Sequence, residues 1–239
     1  MNNPRTLALL LAASLALAGT SCKNMPKSMD GFLANNAVGA LDQGTIADGL
    51  REALKVGTER AVGKTSTVNG FLSNQLIRIA VPDELEKMTS TLRKIGFSQQ
   101  VDELETSMNH AAEKASAEAT AIFWDAVKGM TIDDARAVLQ GGKHSATKLL
   151  RERTTPQLTS RIHPIVSQKM DEVGLSRLYG DLSSRYNALP LGQKPAMDMG
   201  DYVTGKTLDG VFAMLAKEEE KIRNDPVART SELLRRVFK

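Results

Sequence analysis

Three kinds of residue in this chain could carry chemistry: a single thiol at Cys22, imidazoles at His110, His144 and His163, and the carboxylate run Glu218, Glu219 and Glu220. A lone Cys forms neither an internal disulfide nor a cysteine-based zinc site, and the three His lack metal-ligand spacing. His110 with Glu113 one turn later has the composition of a general base and its partner. Its helical position falls opposite the apolar stripe of that segment, so it is expected to face water. His144 at a helix start and His163 before a proline stand alone, and no Gly-x-Ser-x-Gly elbow accompanies them. Gly39, Gly44 and Gly49 are evenly spaced but lack the preceding strand and following Lys-Ser/Thr of a phosphate loop. Three adjacent glutamates point in different directions around a helix, so they cannot form one cluster and read as a solvated face. No catalytic residue, metal set or cofactor is expected from these patterns.

The thiol has a more specific reading. Met1 to Arg5 is a short basic start, and Leu7 to Ala18 is an unbroken apolar run. At about 12 residues it is too short to cross a hydrocarbon core of roughly 30 Å, and it reads as a secretory signal. Gly19-Thr20-Ser21-Cys22 then resembles a bacterial lipobox, with Gly19 where a Leu is usual. Residues 1–21 are thus expected to be a lipoprotein signal peptide, Cys22 the lipidated N-terminus, and 22–40 a polar tether. Lys23, rather than Asp, follows the Cys, which points to outer-membrane sorting and a periplasm-facing domain. Ala16-Leu17-Ala18 supplies the alternative, cleavage after Ala18 to release a soluble periplasmic protein.

The elements that must position everything else are helices. With 41% hydrophobic residues, 25% charged and a net charge of +3, the chain can bury a core and has no basic excess that argues for nucleic acid. Ile46, Leu50, Ala53, Leu54, Gly57 and Ala61 keep to one helical face, with Arg51, Glu52, Lys55 and Glu59 on the other. Gly70 to Pro82 is irregular; Ile77, Ile79 and Val81 alternate as a strand would, but no second run offers a partner. Pro82-Asp83-Glu84 opens a helix closed by Gly96. From Ser98 a stripe running from Val101 through Ala112, Ala115 and Ala119 to Ala126 predicts one helix of roughly thirty residues, whose alanines admit a close neighbour. Thr131 to Asp134 is a capped start, and the helix it opens stops at Gly141-Gly142. Ser145 to Arg153 reads as one helix and Thr155-Pro156 as the start of another, kinked or split at Pro164 and ended by Gly174. Ser176 to Leu189, Asp201 to Arg223, and a terminal helix capped by Asp225-Pro226 complete the set. The expected architecture is a single all-α, bundle-like domain of about nine helices over residues 41–239.

Within it, the Asp201 to Arg223 helix offers the best polar face. Leu208, Val211, Phe212, Leu215 and Ile222 line one side; Tyr202, Lys206, Asp209, Glu220 and Arg223 line the other and form the candidate binding stripe, with Glu219 and Arg223 one turn apart.

The runs Gly49 to Gly57, Met108-Asn109 with Ala111-Ala112-Glu113, Met130 to Ala135, Pro164-Ile165-Val166, Tyr186-Asn187, Tyr202-Val203-Thr204 with Leu208-Asp209-Gly210, and Ala228-Arg229-Thr230 with Leu233-Leu234 together resemble the bacterial domain of unknown function 4197. The resemblance covers nearly all of the expected mature chain in order, with His110 where that family is expected to carry Arg. It implies an exported, helical, lipid-anchored protein and supplies no activity, substrate or catalytic residue.

The functional expectation is a non-enzymatic envelope module, anchored to the membrane through Cys22, that binds a protein or lipid partner. Two alternatives stand beside it. An envelope hydrolase acting on lipid or peptidoglycan requires Asn109, Glu113, Tyr202, Asp209 or Glu219 to converge in a cleft. A soluble periplasmic ligand carrier requires an apolar cavity, which the close-packing alanine stripe disfavours.

Overall fold

The computed structural model describes residues 42–190 and 197–238. The expected signal segment, Cys22 and the whole of the 22–40 tether lie outside these residues. Among the described residues the chain forms nine α-helices and no strand: α1 Gln43–Thr65, α2 Glu86–Lys94, α3 Ser98–Ser116, α4 Ala119–Lys128, α5 Ile132–Gln140, α6 Ser145–Glu172, α7 Leu175–Asn187, α8 Met199–Asn224 and α9 Glu232–Val237. Single 3-10 turns at Asp83–Leu85 and Pro226–Ala228 precede α2 and α9. The all-α, bundle-like expectation holds.

Helix starts follow side-chain capping. Asp42 accepts from the Thr45 amide at 3.0 Å, Asp198 from Asp201 at 3.0 Å and Ser231 from Leu234 at 3.2 Å, each satisfying an otherwise orphaned N–H. Thr131 and Asp134 form a reciprocal capping box at the head of α5. Asp134 also pairs with Arg153 on α6, and this guanidinium is the main reason its pKa falls from 3.8 to about 2. A carboxylate depressed in the folded state contributes stability above its unfolded pKa and loses it as pH falls. The stability advantage of wild type over Asp134→Asn should therefore shrink between pH 4 and pH 2, read from paired thermal melts; a constant difference would show that the charge does not matter.

Helix α8 is the axis of the domain. Its apolar side, with Leu208, Val211, Phe212, Leu215 and Ile222 all buried, lies against α1 and α6, while α3 crosses both α6 and α8. Helix α4 packs on α1 and α6, α5 and α9 lean on α1, and α2 and α7 close over α3. Phe123 of α4 meets Phe212 of α8 edge to face, with centroids 5.3 Å apart, the arrangement that ring quadrupoles favour. Two glycines permit close approaches that no side chain would. A Cβ on Gly210 would sit 2.4 Å from the fully buried Phe71 ring, and one on Gly49 would sit 2.5 Å from Val237 of α9.

Three element predictions need correction. The long helix from Ser98 breaks at 117–118 into α3 and α4. The Ser116 hydroxyl donates to the Glu113 carbonyl, and the Glu118 amide donates only three residues back to the Ala115 carbonyl, so the chain tightens and turns. Its alanine stripe is nevertheless packed, with Ala112, Ala115 and Ala119 fully buried and Ala126 half-buried. Conversely, the two helices expected between 145 and 174 are one. Pro156 and Pro164 lie on the exposed face, as do Glu152 and Ser160, whose carbonyls lose their amide partners to the prolines; water can satisfy those carbonyls. Leu158, Ile162 and Val166 on the opposite face hold the helix to the core without interruption. Finally, Asp225-Pro226 caps only the 3-10 turn, through the Val227 amide at 2.9 Å, and Ser231 opens the terminal helix.

The 66–82 segment is irregular, as its sequence reads, but not extended throughout: it runs in hydrogen-bonded turns as far as Ile77, and only 78–82 lack them. It is nevertheless built into the core, with Phe71, Ile77 and Ile79 buried. Its partner is not a second strand but two side chains of α3. Asn109 accepts from the Ile79 amide at 2.8 Å and donates to the Ile79 carbonyl at 2.8 Å, acting as a one-residue strand. Glu113 accepts from the amides of Asn69, Phe71 and Leu72 at 3.1, 3.1 and 3.2 Å.

Candidate functional site

The residues of the α8 stripe are each drawn into separate contacts. The Tyr202 hydroxyl donates to the Ala80 carbonyl at 3.0 Å; burial raises its pKa, and the nearby Glu84, Asp83 and Glu105 add to this. Lys206 stands over the Tyr202 ring at 5.6 Å. Asp209 pairs with Arg151 at 2.7 Å, and Glu220 pairs with Lys143 at 2.5 Å, a hydrogen bond that lowers the Glu220 pKa. Arg223 departs from the expected solvent-facing position. It reaches inward to Glu219 at 2.9 Å, the Val138 carbonyl at 2.9 Å and the Ser145 hydroxyl at 2.8 Å, because the α5–α6 corner covers the end of the stripe.

The glutamate run also differs from a solvated face. The three carboxylates do point in three directions, but two of them are buried. Burial pushes the Glu218 pKa up, yet the ammonium groups of Lys64 at 2.5 Å and Lys221 at 3.0 Å outweigh this and bring it below the usual value. Glu219 accepts from the Ala146 and Thr147 amides at 3.1 and 2.8 Å and from the Thr147 hydroxyl at 2.8 Å.

Of the histidines, His110 is half-buried beside Glu113, whose two oxygens are already engaged by the loop amides. His144 takes a left-handed backbone (φ 64°) at the N-cap of α6. His163, isolated in sequence, is brought to 3.2 Å from Asp201, and with Asp198 offers three ligand atoms within 4.8 Å of one another. Spacing could not show this set, because it joins α6 to the head of α8. Asp198 already caps α8, and the positive end of that helix opposes a cation.

The surface feature that sequence reasoning missed lies between α1 and α4. Arg51, Glu52, Lys55, Val56 and Glu59 from α1 face Trp124, Val127 and Lys128 from α4 across an open groove of about 480 Å³. That volume lies in the usual range of small-ligand sites, roughly 300–1,000 Å³. Lys55 rests its ammonium 5.3 Å from the indole centroid. Arg51 is anchored by Asp48 at 2.7 Å and by the Met130 carbonyl at 2.7 Å. Its Nε, and Nε1 of Trp124, are shielded from water and have no hydrogen-bond partner among the described residues. An unsatisfied buried donor costs about 1–3 kcal/mol, so these two, on residues that line the groove, are a local cost to the fold.

The sequence put Arg51, Glu52, Lys55 and Glu59 on one face but could not supply the opposite wall. That wall exists because the expected long helix breaks and α4 folds back over α1. The signal available was Trp124, the chain's one tryptophan.

A family model described as "Protein of unknown function (DUF4197)" matches residues 40–239. The chain belongs to this family. Neither the curated proteins nor the solved structures compared with it include a match. The DUF4197 match spans both walls of the groove, the 66–82 segment with its α3 braces, and the Glu219–Arg223 corner; it begins after Cys22 and bears on the helical domain alone.

Proposed function

We propose that this DUF4197 protein is an exported envelope lipoprotein, anchored through Cys22 in the outer membrane and facing the periplasm, whose helical domain is a non-enzymatic binding module. The observation that carries the binding role is the α1–α4 groove, an open space of ligand size between the polar face of α1 and Trp124, Val127 and Lys128 of α4. The anchor rests on the sequence, where the one Cys stands directly after an apolar export signal. The hydrolase alternative draws no support from the residues it needs. Asn109 and Glu113 brace the 66–82 segment, Tyr202 bonds Ala80, Asp209 pairs with Arg151, and Glu219 caps α6.

Cell fractionation with intact-mass measurement tests the reading. Wild type should partition with membranes and carry an acyl-sized mass on Cys22, and Cys22→Ala should move to the soluble periplasmic fraction. Equal partitioning of the two, with a chain beginning at Gly19, would defeat the anchor. For the module, native mass spectrometry of gently extracted protein should show a retained species that Trp124→Ala loses; retention unchanged by that substitution would move the binding surface elsewhere.

A further inference from the structure

We infer that Arg60, Lys64 and Lys221 form a binding site for a terminal phosphate, the dianionic end of a phosphate monoester. The site shares no residue with the α1–α4 groove and does not depend on it. Its three cations converge on one carboxylate. Lys64 and Lys221 both donate to the same oxygen of Glu218, Oε1, at 2.5 and 3.0 Å, and the Arg60 guanidinium stands 3.9 Å from Oε2. Contact with a common oxygen makes the two ammonium groups neighbours, close enough for one tetrahedral anion to bridge them. The Glu218 side chain is only 2% exposed, whereas those of Arg60, Lys64 and Lys221 are 31, 46 and 51% exposed, so the side open to water is cationic. An ammonium carries three N–H donors; Lys64 and Lys221 each give one to Glu218, which leaves others for a ligand.

Three positive charges against one leave a surplus of two. Among the described residues the ion pairs of these three side chains go to Glu218 alone. The neighbouring acids do not cancel the surplus: Glu59 lines the groove, Glu219 and Glu220 are paired with Arg223 and Lys143, and exposed Asp225 is matched in number by exposed Lys217. The negative ends of α1 and α8, each about half a charge, fall near Lys64 and Lys221, but Arg229 already covers the last carbonyls of α8. Repulsion from Arg60 works against the charged form of Lys221, a cost that a second anion relieves. A phosphate monoester carries about 1.5–2 negative charges at neutral pH and matches the surplus; a single carboxylate leaves half of it unmet.

Calorimetric titration of the full chain with inorganic phosphate at neutral pH and constant ionic strength should show saturable binding with a Kd of about 1 mM or tighter, and acetate should bind about tenfold more weakly. Lys64→Gln and Lys221→Gln should each weaken phosphate binding about tenfold, while Glu218 keeps two cations in either variant and the fold is retained. Glu218→Gln should act in the opposite sense and tighten phosphate binding, which cations serving only to neutralise a buried acid would not produce. No saturable heat, acetate bound as tightly as phosphate, or both Lys variants within about twofold of wild type would overturn the site. Flotation of the Cys22→Ala chain with vesicles of phosphatidylcholine, with and without phosphatidic acid, distinguishes the sources of the group. Flotation that requires phosphatidic acid and is lost in both Lys variants makes the ligand a lipid headgroup; phosphate binding without flotation makes it a soluble phosphate ester.

Discussion

Glu113→Ala should lower the stability of the domain by about 3–5 kcal/mol, a larger effect than any surface substitution would produce. The side chain is buried on α3, and its two oxygens accept three backbone amides, from Asn69, Phe71 and Leu72. Those amides belong to a segment with no helix or sheet of its own to satisfy them, and Asn69 sits in the left-handed region at φ 60°. Removing the carboxylate leaves three donors without their acceptor, the Phe71 amide buried and those of Asn69 and Leu72 part-buried; a fully buried one costs about 1–3 kcal/mol and the other two less, and the relief of burying one charge less offsets part of the sum. Water can enter once the segment loosens, which sets the upper limit. At roughly 2–4 °C per kcal/mol for a domain of this size, the melting temperature should fall by about 6–20 °C. Glu113→Gln keeps one acceptor oxygen and should lose less. The site of damage is as specific as its size: amide exchange should accelerate first at 69–79, with Phe71 freed from its place beneath Gly210. Chemical denaturation and hydrogen exchange read the two effects separately. A loss under about 1 kcal/mol, or exchange that rises uniformly over the domain, would show that the loop is held by Phe71, Ile77 and Ile79 instead.

The same residues show what a sequence can and cannot disclose. Amphipathic spacing exposed the helices because burial against a common core imposes a 3.6-residue period on each of them. Caps at Thr131 and Gly174 were readable because they act within a few residues of themselves. Glu113, Glu219 and Asn109 were not, since a buried carboxylate or amide is chosen by orphaned donors that lie tens of residues away. The prolines misled for the converse reason. Their cost depends on which way the vacated carbonyl faces, and at 156 and 164 it faces solvent on a helix already clamped by its other side. The groove combines both problems: its α1 wall is written as a polar face, and its α4 wall appears only after the chain turns at 117–118.

The second large effect is expected at that kind of long-range cap. Helix α6 begins at His144, which contributes no side-chain cap, so its first amides would be orphaned at the positive end of a 28-residue helix. Glu219, one of the buried glutamates of α8, supplies the cap from outside, and Arg223 one turn later holds the same carboxylate. Glu219→Ala removes the acceptor for two amides and a hydroxyl and leaves a guanidinium with 16% side-chain exposure without its counter-charge. Breaking a buried pair in this way costs about 3–5 kcal/mol. Arg223→Ala should cost less, because the carboxylate it abandons keeps the amides of α6 and the dipole behind them. The double variant should lose less than the sum of the singles by about 0.5–3 kcal/mol, since each substitution has already broken the shared contact. A double-mutant cycle measured by chemical unfolding checks this. Additivity within about 0.3–0.5 kcal/mol would mean that Glu219 serves the helix end alone and that Arg223 is held by Val138 and Ser145 without it. Coupling would instead establish that one carboxylate ties the α5–α6 corner to α8, which is why a residue that reads as part of a solvated run is buried at the centre of the corner.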